Sequence, residues 1–154
     1  LGFFDDLRPI SAVSAWGRWI AAGLSLLLLA STLLFALYWI PAKALGRLRN
    51  RESIHLRLWP LVATLALAGA ALALALGSED LIRRLGTPTV YSIGYAGLTL
   101  TYGLAVLASL WALVRSKARA HWGTWTYHAF VVGAETLVLV YLAAHGLIGH
   151  RFWT

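Results

Sequence analysis

The sequence predicts an all-α membrane protein: a four-helix antiparallel transmembrane bundle with a short interfacial helix between spans 2 and 3. Composition is the first observation. The chain is 60% hydrophobic and 12% charged, where a soluble domain carries about 25% charged residues. Patterning is the second. The charges cluster between four apolar runs, each long enough to cross roughly 30 Å of hydrocarbon at 1.5 Å per residue. The third is the placement of Trp16, Trp19, Trp39, Trp59, Trp111, Trp122, Trp125 and Trp153 at or near the proposed span ends. Tryptophan prefers the headgroup layer, where the ring is half buried and its N–H stays wet.

Residues 1–15, LGFFDDLRPISAVSA, form a mixed lead-in, and residues 16–154 form the membrane domain. The first span covers about 16–40 and is expected to close at Pro41, because proline has no N–H for the helix ladder. It is not a secretory signal: the apolar run is too long, and Asp5 and Asp6 precede it where a basic region belongs.

A basic connector follows, with Lys43, Arg47, Arg49, Arg51 and Arg57 against Glu52. The second span, about 58–77, is rich in Ala and Leu, both strong helix formers. Ala63, Ala66, Ala70, Ala73 and Gly77 recur at three- and four-residue steps. In lipid such a small-residue face lets a neighbouring helix approach closely, and van der Waals packing holds the pair.

Residues 78–89, SEDLIRRLGTPT, open on a serine and two acids, the signature of a helix start. They are expected to make a short interfacial helix that ends at Gly86 and Pro88. The third span, about 90–114, carries Gly94, Gly97, Thr101, Ala105, Ala108 and Ala112, a second small-residue face expected to pair with the first. Tyr91, Tyr95 and Tyr102 lie on another side. A basic connector with Arg115, Lys117 and Arg119 leads into the fourth span, about 121–149.

Charge asymmetry sets the topology. The connectors after spans 1 and 3 hold eight basic residues. The opposite side holds Arg8, Arg18, Arg83, Arg84 and Arg151 beside Asp5, Asp6, Glu79 and Asp80. By the positive-inside rule both basic connectors are cytoplasmic and both termini extracytoplasmic. The net charge of +7 therefore speaks for anionic headgroups and not for nucleic acid. The chain lacks methionine and begins at Leu1, which reads as a piece of a longer protein.

Candidate chemistry is sparse. Without cysteine there is no disulfide, thiol nucleophile or thiolate metal site. G-x-S-x-G, S-x-x-K and glycine-rich phosphate loops do not occur, so no catalytic residue is assigned. A transmembrane haem needs two histidines facing each other from different helices. His128 and His145 share one span about 25 Å apart, which leaves His55 and His121 near the cytoplasmic interface as the one pair. No cofactor or metal is expected.

Glu135 is the one acid inside a span. At the bilayer centre it costs on the order of 3 kcal/mol on insertion scales unless a partner offsets it. Tyr102 reaches the same depth on the third span, and His128 lies two turns away on the same face. We read Glu135, Tyr102 and His128 as a structural polar lock between helices. Glu135 and His128 also support an alternative, a stand-alone redox subunit or proton-coupled transporter-like module.

The lead-in FFDDLRP, the first span ending YWIP, the basic connector and the Ala/Leu span form one set of signatures. The segment GTPTVYSIGYAGL and the close AAHGLIGHRFW extend it. Together they resemble the C-terminal membrane region of bacterial serine hydrolases of the β-lactamase and penicillin-binding-protein-like family. That resemblance covers nearly all of the chain. It implies a multi-pass domain of the bacterial inner membrane that anchors an upstream extracytoplasmic hydrolase domain. Its partners would be the bilayer and that upstream domain; separately, four spans with matched small-residue faces suggest an additional role, such as binding another membrane protein or lipid sensing. The family's catalytic motifs are not in this stretch, so the segment itself is not the enzyme.

Overall fold

The computed structural model describes residues 12–46, 52–83, 89–117 and 120–149. Four helices account for almost all of them: α1 (Ala12–Ala44), α2 (Glu52–Arg83), α3 (Val90–Ser116) and α4 (Trp122–Ala144). Each contains an apolar stretch of at least 22 residues, long enough to cross a membrane. The outer surface is apolar: Leu27, Leu37, Leu76, Leu104 and Leu137 are exposed, as is Phe130. In water such a surface would aggregate, whereas hydrocarbon solvates it without cost.

The helices form an antiparallel bundle. α2 and α3 share the most extensive interface, and α4 packs on both. α1 meets α2 and α4 but, among the described residues, not α3. The α2–α3 register is set by volume. A Cβ added to Gly69 would lie 3.2 Å from the Leu98 side chain, and one added to Gly77 would lie 2.6 Å from the Tyr91 Cβ. At the level between those contacts and the helix start, Ala63 and Ala66 receive Tyr102, Ala105 and Val106 in one buried cluster. The small-residue face of α2 therefore forms as the spacing predicts.

Its partner face on α3 differs from expectation. Gly97 and Thr101 are exposed and Gly94 is half-buried. The buried stripe consists of Ser92, Tyr95, Thr99, Tyr102, Val106 and Ser109, with Ala105 and Ala112 beside it. Small residues on one helix thus receive large ones from the other. Two small faces in register would leave unfilled space, whereas tyrosine rings seated on glycine and alanine fill the interface to interior density.

Helix boundaries also differ. Pro41 does not end α1, which runs to Ala44. The proline ring removes one donor, but its carbonyl still accepts from Leu45 N at 2.9 Å, and Gly46 closes the end at φ 72°. α2 begins at Glu52, within the expected connector, and carries Pro60 inside. Among the described residues no separate interfacial helix is set off over 78–89. Residues 78–83 continue α2, and 84–88 lie outside the described residues. α4 stops at Ala144, five residues early, because Gly146 at φ 64° lets Leu147 N reach Leu142 O (2.8 Å) and Gly146 N reach Ala143 O (3.0 Å). That pair of bonds is a Schellman cap. Of the lead-in, residues 1–11 lie outside the described residues and 12–15 belong to α1.

α3 starts on a capping box. Thr89 Oγ1 accepts from Ser92 N (3.2 Å), and Ser92 Oγ accepts from Thr89 N (2.9 Å). The tryptophans divide. Trp111 and Trp122 are exposed near helix ends, and Trp111 lies under the Arg115 guanidinium at 4.5 Å. Trp39 is instead buried against Ala36 and Leu61. It fastens α1 to α2.

Gly77→Val should lower bundle stability in detergent by about 1–3 kcal/mol, the usual cost of overpacking a filled interface. Gly97→Ala should leave stability unchanged or raised, because a Cβ there meets nothing within 4 Å and alanine favours the helix. Thermal unfolding of the two variants side by side checks the face assignment.

Candidate functional site: a polar interior beneath α4

In lipid, each buried polar group must find its partner inside the protein. Most hydroxyls of this bundle do so on their own helix. Thr99 donates to Tyr95 O (3.0 Å), Ser109 to Ala105 O (2.9 Å) and Thr136 to Val132 O (2.7 Å). These back-bonds let serine and threonine sit in an apolar helix at little cost.

A smaller set crosses between helices. Trp125 Nε1 donates to Leu113 O at 3.1 Å, fixing the start of α4 to the end of α3. At the opposite end the segment after α4 folds onto α3. Tyr95 Oη donates to Leu147 O (3.1 Å), and Gly149 N donates to Thr99 Oγ1 (3.0 Å). Ser31 of α1 shares a 2.8 Å hydrogen bond with the Tyr127 hydroxyl of α4. Each is a neutral hydrogen bond, worth about 1 kcal/mol between membrane helices.

The inward face of α4 carries His128, Val131, Val132 and Glu135, all buried. Tyr102 reaches Glu135 from α3 as depth matching predicts, but by a different atom. Its hydroxyl donates to the main-chain carbonyl of Glu135 at 2.6 Å. Tyr102 and Glu135 are both 0% exposed, so this bond lies in the dry centre of the bundle. A stiff tyrosine anchored between Ala63 and Ala66 can extend only along its ring axis, which here ends on backbone.

The Glu135 carboxyl is left over. Neither Oε1 nor Oε2 has a hydrogen-bond partner. Ser109 of α3 faces the carboxyl without completing a hydrogen bond to it, its own proton being given to Ala105 O. Thr64 of α2 is also buried, and its Oγ1 has no partner. The bundle interior therefore holds an unpartnered acid and an unpartnered hydroxyl.

His128 belongs to another layer, about 10 Å along the helix at seven residues' rise. Its Nδ1–H donates to Thr124 O at 2.8 Å. Its ring stands edge-on to Tyr127 (centroids 5.1 Å) and Phe35 (6.0 Å). Arg57 lies near enough for charge interaction with His128, and its guanidinium sits 5.3 Å from the Phe35 ring centroid. Arg57 Nε is buried and unpartnered. The sequence placed Arg57 in a solvated connector. The signal for its inward position is its spacing of seven from Thr64, two turns on one face, matching that of Tyr102 to Ser109 and of His128 to Glu135.

His55 and His121 are both exposed at their helix starts, and His145 bonds its own-turn carbonyl, Tyr141 O, at 2.8 Å. Among the described residues no three histidine, aspartate or glutamate side chains come together as metal ligands. No family model, curated protein or solved structure matches the chain, so functional inference rests on its own residues. What those residues establish is a membrane-embedded four-helix domain.

Two substitutions separate the main-chain bond from the side chain. Tyr102→Phe should cost about 1 kcal/mol by removing one interhelical hydrogen bond. Glu135→Leu should cost no stability, since it replaces an unpartnered polar group with an apolar one of similar size. Equilibrium unfolding in mixed micelles measures both. A large loss in E135L would show that the carboxyl itself holds the helices together.

Proposed function

We propose that this domain is the C-terminal membrane part of a larger bacterial inner-membrane protein and holds an upstream extracytoplasmic domain close to the bilayer surface. The upstream domain would be a serine hydrolase resembling the β-lactamase and penicillin-binding-protein-like family. The observation that carries the reading is the pairing of four lipid-facing helices with basic residues concentrated after spans 1 and 3. An even number of spans with that asymmetry returns both chain ends to the extracytoplasmic side. The segments FFDDLRP, GTPTVYSIGYAGL and AAHGLIGHRFW support the family.

The mechanism is partition. Four apolar helices make insertion effectively irreversible, unlike a lipid anchor, which can leave the bilayer. One span would tether equally well. The additional spans give a rigid platform, with Tyr102, Glu135 and the Trp125 contact as interhelical pins and the segment after α4 folded back on α3. A rigid platform fixes the height and orientation of what it carries, and a single helix does not.

Topology and partnership are tested together. Alkaline phosphatase fused before Leu1 or after Thr154 should be active in a bacterial host, and the same enzyme inserted after Gly46 should be inactive. The natural polypeptide that contains this domain should take a fluorophosphonate or fluorescent penicillin label in intact cells and stay in the membrane after carbonate washing. Inverted fusion activities would refute the topology. A labelling-silent polypeptide of correct topology would refute the hydrolase alone.

A further inference from the structure

We propose that Glu135, beside Ser109, forms a proton-binding site inside the bundle, in which the buried acid carries an exchangeable proton. Three observations converge on it. Glu135 is fully buried with both carboxyl oxygens unpartnered. A pin between helices does not need this side chain, because Tyr102 bonds the main-chain carbonyl that any residue at 135 would offer. The neighbouring Ser109 hydroxyl is suited to accept. Ser109 has given its own hydrogen to Ala105 O and keeps lone pairs free.

Occupancy by a proton fits these groups better than occupancy by a metal cation. A bare carboxylate in this setting would need a counter-charge, and among the described residues none lies at its level. From α3 the facing groups are Tyr102, whose hydroxyl donates to the Glu135 carbonyl, and neutral Ser109. On α4 the next titratable group is His128, two turns away. On α2 the one nearby cation is Arg57, which lies beside His128. α1 presents Ser31 and Phe35 toward α4, neither of which titrates. Group-one cations prefer about six oxygen ligands, of the kind hard cations collect, and this level supplies fewer. A proton needs one acceptor.

The site goes beyond the tethering role and does not depend on it. A membrane platform whose centre gains or loses a proton has two charge states, and the charged one strains the packing around Tyr102. Loading of the site is thereby coupled to the α3–α4 contact.

A hydrophobic carbodiimide tests this on the natural protein in its own membranes. A protonated buried carboxyl adds its oxygen to the central carbon of the reagent while its proton moves to nitrogen. An acyl shift from oxygen to nitrogen then leaves a stable N-acylurea. Peptide mapping by tandem mass spectrometry should place the adduct on Glu135, with yield falling severalfold as pH is raised from mildly acidic to alkaline. E135Q should remove the adduct, and because the mapping is done on the wild-type chain the result stands even if that variant folds poorly. A folded wild-type protein with no adduct at Glu135, or with a yield independent of pH, would overturn the proposal. Protection by sodium ions at constant pH would also overturn it, in favour of a cation site.

Discussion

The bundle depends on the close approach of α2 and α3. Without a hydrophobic driving force between helices in lipid, association comes from van der Waals contact and a few hydrogen bonds. Contact of that quality needs matched volumes. Gly69 under Leu98, Gly77 under Tyr91 and the Ala63–Ala66 step under Tyr102 provide it along most of the interface. α4 then lies in the groove that this pair creates, and α1 completes the assembly through Trp39 and the Ser31–Tyr127 bond. The weaker attachment of α1 follows from its surface, whose leucines mostly face outward.

Polar groups follow the same economy. Serines and threonines turn onto their own helix, and a handful of tyrosine, tryptophan and main-chain groups cross between helices. The Glu135 carboxyl does neither, nor do the Thr64 hydroxyl and Arg57 Nε, and it is the acid among them. A buried acid with no partner is costly, on the order of 3 kcal/mol at mid-membrane if charged. Tyr102 recovers part of what the site spends by tying α3 to the backbone at that point. Form and chemistry are thus separable at residue 135: the carbonyl serves the fold and the carboxyl is available for another purpose.

Much of this architecture is legible in the sequence. Four long apolar runs, tryptophans near their ends and basic connectors lead directly to four membrane helices, and Ala/Gly spacing identifies the contacting side of α2. The α3 side is not legible in the same way, because apolar residues surround that helix and no polar face marks the outside. Counting small residues selects Gly94, Gly97 and Thr101, while shape selects the tyrosine stripe. Depth counting brought Tyr102 to Glu135, since rise per residue is fixed. The atom it bonds depends on side-chain geometry, which spacing does not encode. Arg57 is hidden for a similar reason: its place in a basic connector gives no sign that α2 begins at Glu52 and carries it toward Phe35 and His128. Pro41 marked the neighbourhood of a helix end and missed the residue, because a proline in the last turn removes just one hydrogen bond.

The register of α2 against α3 underlies both the packing and the depth at which Glu135 meets Tyr102. Since the chain has no cysteine of its own, paired cysteines read that register directly in lipid. G77C with Y91C should cross-link rapidly under mild oxidation, and A73C with Y91C, one turn out of step, should not. Efficient cross-linking of the second pair and none of the first would contradict the arrangement of the bundle and everything built on it.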